Sequence, residues 1–378
     1  MGVMIEVHPE RLKALRTRLG LPPHAGAEKL KASEEELAQW ESEPTEFTVK
    51  RLQQIAKAYN YNWYVFLLED EAGPPAIPHD FRRRKGGKDD LGFDSLLAID
   101  NAWRLLDRIE SLGAAERPVV SQIVVTLSDD PEEVASSFRK LLGVSGMLDT
   151  PDPYAVLRYW TRTLTSAGLY VSQVPLPIKE ARAFCLSQNG VHLIVLSNKD
   201  YPTARAFSLI HEVGHLLLGS DAICRPMPDG FGKDTSAEPW CNRFAAAVLM
   251  PRSLLESSTR FHELMSGEIG LGSAKPLAKE FGVSEVALLR RLETFGHIST
   301  AEYQRLEREA DERWKDDEET PTGGGFLIHK DKVIARQSPL FVQQVFDAYG
   351  NGTIPYREIG TYLNVPLRSI PGIREAVG

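Results

Sequence analysis

The chain has 378 residues, 42% of them hydrophobic and 25% charged, and a formal net charge of -8. That composition excludes a disordered polymer and predicts two or three packed domains, while the acidic balance excludes a general attraction to phosphate, so any nucleic-acid binding needs a local basic patch. The longest apolar run, Phe244 to Met250, is far too short to span a bilayer, and Met1 to Glu10 holds no secretory-type apolar core, so a cytoplasmic protein without membrane association is expected.

In chain order, residues 8 to 70 read as short helices, Pro9 to Leu19, Pro22 to Leu30, Ser33 to Trp40 and Val49 to Tyr59, with Ser33 placed as an N-cap. A proline-rich stretch from Gly73 to Pro78 and the basic run Arg82 to Lys85 then mark a boundary. Helices are predicted from Asp94 to Leu112, Pro131 to Leu142 and Asp152 to Ala167. Strands are predicted at Gly168 to Val174, Ala181 to Ser187 and Val191 to Leu196, the last two joined by a turn at Gln188, Asn189 and Gly190. Beyond them come helices from Thr203 to Leu218, stopped by Gly219 and Ser220, and from Glu238 to Leu249, stopped by Pro251. A helical pair, Ala274 to Phe281 and Ser284 to Phe295, precedes a charged helix from Thr300 to Glu319, a glycine-rich break and a last segment with a helix at Tyr356 to Leu363. The three cysteines, Cys185, Cys224 and Cys241, form no CxxC pair and are expected to be reduced and mostly buried.

Chemistry concentrates in the run His211-Glu212-Val213-Gly214-His215. Residues four apart share a helical face one turn apart, so both imidazoles can reach a single ion. Zinc accepts nitrogen and oxygen donors and, with three protein ligands, keeps a fourth position for water, while a carboxylate beside the first ligand is placed to act as general base and then acid. Apolar Phe207, Leu209, Ile210, Leu216, Leu217 and Leu218 surround the polar trio, and burying such groups without compensation is costly, which favours a site over core histidines on an amphipathic helix. Glu238 is the leading third ligand, with Asp221, Asp229, Asp234 and Cys224 as alternatives and a simple first-turn acid as the bland reading. Asn242, one turn on, is a candidate to orient a ligand, or a local cap.

The stretch Ala204-Arg205-Ala206-Phe207-Ser208-Leu209-Ile210-His211-Glu212-Val213-Gly214-His215, together with Glu238 to Pro251 ending Ala245-Ala246-Ala247-Val248-Leu249-Met250-Pro251, resembles the ImmA/IrrE metallopeptidases. The likeness extends more loosely from about Pro131 to Leu292. It implies a zincin-like domain in which His211, His215 and Glu238 hold zinc (Mn2+ as the alternative) and Glu212 is the catalytic acid/base. It also implies a role in transcription regulation and stress response through cleavage of a helix-turn-helix repressor or antitoxin. Zincin sheets offer an edge strand to an extended substrate, and Val191 to Leu196 is the expected edge. His262, His297 and several tyrosines are open as donors to the oxyanion.

Residues 8 to 70 resemble the XRE/Cro-type helix-turn-helix domain through Leu12, Leu15, Gly20-Leu21, Ser33, Trp40-Glu41, Pro44, Leu52 and Ile55 to Ala58. They depart from it at Pro22, Pro23 and Gly26 and in the three glutamates Glu34, Glu35 and Glu36 that open the recognition helix. Nine Lys and Arg stand against eleven Asp and Glu over residues 1 to 70. Carboxylates repel a duplex, so a degenerate module for protein contact, with itself as a homodimer or with a repressor substrate, is preferred to DNA binding.

The expected fold is α+β, mostly α: a five-helix helix-turn-helix-like domain at 1–72, linker and connecting helices at 73–130, a zincin-like domain with a small mixed sheet at 131–258, a helix-turn-helix-like extension at 259–320, and a C-terminal domain of unreadable role at 321–378. The expected function is a zinc endopeptidase acting on a regulatory protein. The competing readings are a DNA-binding regulator and a non-cleaving protein-binding module, each with a structural or regulatory metal.

Overall fold

The computed structural model describes residues 4–61, 63–67, 91–113, 118–146, 152–219, 237–317 and 329–377. The proline-rich stretch at 73–78, the basic run at 82–85 and the glycine-rich break at 323–325 lie outside the described residues. The described residues are mostly helical with two small sheets, and among them no helix is long and apolar enough to cross a membrane. Contacts divide the chain into two units, Met1–Ile77 with Lys85–Arg104, and Pro78–Arg84 with Leu105–Gly378.

The first unit holds β1 (Met4–Val7), α1 (Pro9–Arg18), α2 (Pro23–Leu30), α3 (Glu34–Trp40), β2 (Thr45–Thr48), α4 (Val49–Ala58) and a 3-10 turn at Trp63–Leu67. Leu12, Leu15, Leu19, Leu37, Leu52 and Ile55 close its core. β1 and β2, which the sequence pattern does not predict, pair antiparallel from Met4 opposite Thr48 to Val7 opposite Thr45. Four-residue strands about 40 residues apart carry no local periodicity long enough to reveal them. Ser33 caps α3 as expected, in a capping box with Glu36. The unusual Pro22 and Pro23 are the N-cap and first residue of α2, where a missing N–H costs nothing.

Gly26 has a steric reason: a Cβ there would lie 2.5 Å from Arg16 Cδ. The space admits the Arg16 guanidinium, which donates to both carboxylate oxygens of Glu41 at 2.6 and 2.7 Å and to the Leu21 carbonyl. That buried bidentate pair ties α1 to the end of α3. The helix α5 (Phe93–Leu112) is divided between the units at Arg104.

The second unit contains α6 (Pro131–Leu141), α7 (Pro153–Ser166), β3 (Tyr170–Val174), β4 (Ala183–Gln188), β5 (Val191–Ser197), α8 (Pro202–Leu218) and α9 (Ala237–Leu249). It continues through α10 (Arg252–Ser257), α11 (Thr259–Met265), α12 (Leu271–Phe281), α13 (Glu285–Thr294), α14 (Thr300–Asp317), α15 (His329–Gln337), α16 (Pro339–Gly350), α17 (Tyr356–Leu363) and α18 (Ile370–Val377). Its sheet is small and mixed, in the order β3-β5-β4, with β5 parallel to β3 and antiparallel to β4.

The expectation that Val191 to Leu196 is an edge strand is therefore wrong: β5 is central and paired on both sides. Its side chains are buried along almost the whole strand, which reports that both faces of the sheet are covered and is silent about its edges, so the local sequence does not distinguish a central from an edge strand. On the outer side of β3, Ser338 Oγ accepts from the Val171 amide and Ser172 Oγ donates to the Arg336 carbonyl, so the C-terminal helices seal that strand. β4 is the other terminal strand of the three.

The pair α12 and α13 packs into the main core through Leu277, Phe281, Leu288 and Leu292. Arg291, only 1% exposed, donates to both oxygens of Glu132 and to the Met250 carbonyl, so it braces α13 against α6 and the end of α9 and does not face solvent.

Candidate metal centre

Helix α8 is anchored at its start. Asp200, buried, accepts from the Tyr201 amide and pairs with Arg182 at 2.9 Å, Pro202 opens the first turn, and Arg205 donates to Gln173 of β3 at 2.8 Å. The helix is buried almost all round, so His211 (0% exposed), Glu212 (0%) and His215 (1%) stand in a core whose walls are Leu209, Ile210, Val213, Leu216 and Leu217.

Helix α9 is set by Trp240, whose indole N–H donates to the Asp129 carbonyl at 2.8 Å and whose ring stacks on Phe244 at 5.4 Å. It crosses α8 at Gly214, where a Cβ would meet Cys241 Sγ and Phe244 Cδ1 at 3.2 Å and Cys241 Cα at 3.3 Å. A side chain at residue 214 would hold the helices apart.

That approach carries Glu238 onto the two imidazoles. His211 Nε2 and His215 Nε2 are 3.0 Å apart, and Glu238 lies 3.4 Å from the first through Oε2 and 3.3 Å from the second through Oε1. Zinc bonds of about 2.0–2.2 Å in tetrahedral geometry separate neighbouring donors by about 3.3–3.6 Å; the two histidine–carboxylate distances match this, and the 3.0 Å between the imidazole nitrogens is a few tenths of an ångström short, which a small ring rotation makes up. Among the described residues these three form the one His/Cys/Asp/Glu cluster able to hold a metal. The histidines are enclosed while the Glu238 side chain is 44% exposed, so the centre opens to solvent on the α9 side.

Burial disfavours the imidazolium of His215, but the Cys241 and Glu238 hydrogen bonds and the nearby Glu212 charge outweigh it and raise its pKa to about 11. Hydrogen bonds from His211 and His215 hold Glu238 well below the usual carboxylate range. Burial pushes the Cys241 thiol up, which keeps it a neutral neighbour of His215.

The structure thus brings together His211, His215 and Glu238 and sets Glu212 beside them. The alternative ligands Asp221, Cys224, Asp229 and Asp234 lie outside the described residues. Asn242 is exposed one turn beyond Glu238 and, among the described residues, makes no hydrogen bond to the trio. His262 is exposed on α11, and His297 pairs with Glu256 at 3.1 Å against Phe261. Sequence reasoning missed Cys241 at the His215 ring and the purpose of Gly214. A glycine inside a strongly helical pattern was the available signal for the latter.

Residues 165–293, about a third of the chain, match the model of a peptidase family, M78, the IrrE N-terminal-like domain. The matched stretch spans β3 to α13 and so includes the whole cluster. No curated protein matches the chain. The match supports a metallopeptidase-like function for this part of the molecule.

Proposed function

We propose that the second unit is a zinc-dependent endopeptidase with a zincin-like catalytic domain. The observation that carries this reading is the convergence of His211 Nε2, His215 Nε2 and a Glu238 carboxylate oxygen from two helices, at separations a single small cation spans. His211, His215 and Glu238 would hold a zinc ion, with manganese as the alternative, and the bound ion would supply Lewis acidity toward water and the scissile carbonyl.

Glu212 is the general base. It takes the proton of the attacking water and returns it to the leaving amine, a role worth about 10²–10⁴ in rate. Burial supports it, because a carboxylate in an apolar enclosure responds strongly to the charge of its neighbours. Glu238 and the histidines would hold the ion, and Asn242, exposed one turn on and without a hydrogen bond to them, is retained only as a candidate to orient Glu238 when substrate binds. With β5 internal, we place an extended substrate segment along β4, the terminal strand, by main-chain pairing.

The substrate we propose is a helix-turn-helix repressor or antitoxin, engaged by the first unit acting as an XRE/Cro-like module. Glu34, Glu35 and Glu36 are all exposed at the start of α3, which favours contact with a protein, or with a second copy of the chain, over reading an operator.

Elemental analysis of the wild type, Glu212→Gln and Glu238→Ala, beside mass spectrometry of mixtures with helix-turn-helix repressors from the same genome, tests the reading. One zinc per chain in the wild type and Glu212→Gln, none in Glu238→Ala, and a fragment that requires Glu212 are expected. A full zinc complement in Glu238→Ala removes the third ligand. A complex without cleavage favours the non-cleaving module, and salt-sensitive, sequence-selective DNA binding favours the regulator.

A further inference from the structure

Three pairs of helices are joined by the same short connection. After α2, α12 and α17 the chain takes one residue in the left-handed region, Lys31, Gly282 and Asn364 (φ 52°, 64° and 51°). The next residue closes its N–H on the carbonyl five back: Ala32 to Ala27 at 3.0 Å, Val283 to Ala278 at 3.0 Å and Val365 to Gly360 at 2.9 Å. The third is the N-cap of the following helical stretch, Ser33, Ser284 and Pro366. A small residue accepts each closing bond, and at Gly360 the reason is steric, since a Cβ there would lie 2.9 Å from Leu367 Cδ2. Two helices joined by a turn of this length make a helix-turn-helix. In the last pair a 3-10 turn at Leu367–Ser369 leads into α18.

Shape alone does not bring such a pair to a duplex, because affinity comes from cations free to meet phosphate, and there the three differ. α3 exposes Glu34, Glu35 and Glu36 and carries no Lys or Arg. In α13, Arg291 is buried against Glu132 and Arg290 lies 3.6 Å from Glu293. In the third pair Arg357, Arg368 and Arg374 are exposed and, among the described residues, make no hydrogen bond or ion pair. Elsewhere in the second unit Arg252, Arg260, Arg305 and Arg313 are each held by a neighbouring acid. Ile359, Leu363, Ile370 and Ile373 are buried, and α18 packs on α15 and α16, so the helical repeat turns Arg368, Pro371 and Arg374 away from that core. Leu367, 47% exposed, stands at the start of the same stretch, and Glu375 is the one acid of residues 367–377.

We propose that α17 and α18 form a contact for duplex DNA, with residues 367–377 lying in the major groove and Arg357, Arg368 and Arg374 reaching the phosphates that flank it. In a docked helix-turn-helix the first helix crosses the backbone and the second enters the groove with its N-terminal residues leading. That sets Arg357, in the first turn of α17, at the backbone and Arg368 at the groove. This is the local basic patch that a chain of net charge -8 needs before it can meet phosphate. The major groove of B-form DNA, about 12 Å wide, admits a helix, whereas that of an A-form RNA duplex does not. The contact rests on backbone charge and needs no particular operator. It is independent of the metal centre and leaves the readings of the first unit and of the peptidase as they stand.

The test is fluorescence anisotropy of the full chain with a labelled random-sequence DNA duplex of about 20 base pairs, at salt from about 50 to 200 mM. Binding is expected at the low end. Arg368→Ala combined with Arg374→Ala is expected to weaken it by about tenfold or more and to lower the slope of log affinity against log salt by about two, one for each phosphate contact removed. Arg368→Lys with Arg374→Lys, which keeps the charges, is expected to restore most of both, and Glu238→Ala to bind as the wild type does. Circular dichroism checks the fold of each variant, and Arg357→Ala, on the other helix, keeps the test decisive if the alanine pair misfolds. No binding at about 50 mM salt, wild-type affinity in the alanine pair, or a loss confined to Lys50→Ala with Lys57→Ala in the first unit overturns the proposal. Equal affinity for an RNA duplex of the same length overturns the placement in the groove.

Discussion

Replacing Gly214 by Ala tests how the metal centre is assembled. The new Cβ would sit 3.2–3.3 Å from Cys241 Sγ, Cys241 Cα and Phe244 Cδ1, against an ordinary carbon contact of about 3.5–4.0 Å. The Phe244 ring can rotate and a thiol can turn, but the Cys241 Cα belongs to the backbone of α9, so the helix itself must retreat by a few tenths of an ångström. Cys241 is one turn from Glu238, so the retreat is passed to the third ligand. Metal sites tolerate distance errors of about 0.2 Å, and perturbed support of a ligand costs about 10–100-fold in affinity. Glu238 has three rotatable bonds to compensate, which puts the expectation at the lower end, about tenfold weaker zinc binding. Overpacking costs about 1–3 kcal/mol and the gain in helix propensity returns about 1 kcal/mol, so stability should fall by roughly 0–2 kcal/mol. Zinc affinity is read by competition with a chromophoric chelator, and Gly272→Ala, which meets nothing within 4 Å, is the control. Wild-type zinc affinity together with an unchanged midpoint in Gly214→Ala would refute the argument that this glycine sets the helix approach.

Two other outcomes follow from the geometry. Only a neutral imidazole can bind metal, and the proton on His215 is held well above the ordinary imidazole range, so zinc must displace it. The sign is that affinity falls as pH falls, by about tenfold per unit, and this slope persists above pH 7; a plateau above pH 7 in the same chelator competition would contradict it. Arg291→Leu removes a guanidinium that is 1% exposed and leaves the Met250 carbonyl without its donor, while Glu132, whose side chain is 37% exposed, regains water. Because Glu132 can rehydrate, the loss should fall below the about 3–5 kcal/mol of a fully buried broken pair, at roughly 2–3 kcal/mol. Urea unfolding checks it, and a loss under about 0.5 kcal/mol would show that the brace between α13 and α6 is not used.

Most of the helices are legible in the amino-acid order because their signals are local. Ser33, Ser284 and Asp152 cap the helices they are expected to open, Gly219 and Pro251 stand where α8 and α9 stop, and Asn189-Gly190 supplies the two positive φ values its hairpin needs. The spacing of His211 and His215 likewise needs only the helical repeat to put them on one face. The β1–β2 pair, the central place of β5 and the seal of Ser338 on β3 are not legible there. Each depends on a partner far away in the chain, and a continuous apolar strand reads the same whether one or two neighbours cover it.

The sequence by itself determined the donor types, the spacing of the imidazoles and the carboxylate between them, since these are properties of a single helix. Which distant acid reaches the imidazoles was decided only by tertiary structure: Glu238 arrives because Gly214 leaves no side chain between α8 and α9 and because Trp240 fixes the rotation of α9. That Arg291 is buried while Arg368 and Arg374 stay free was decided there too, since helix pairs joined by the same turn differ in what packs against their second helix.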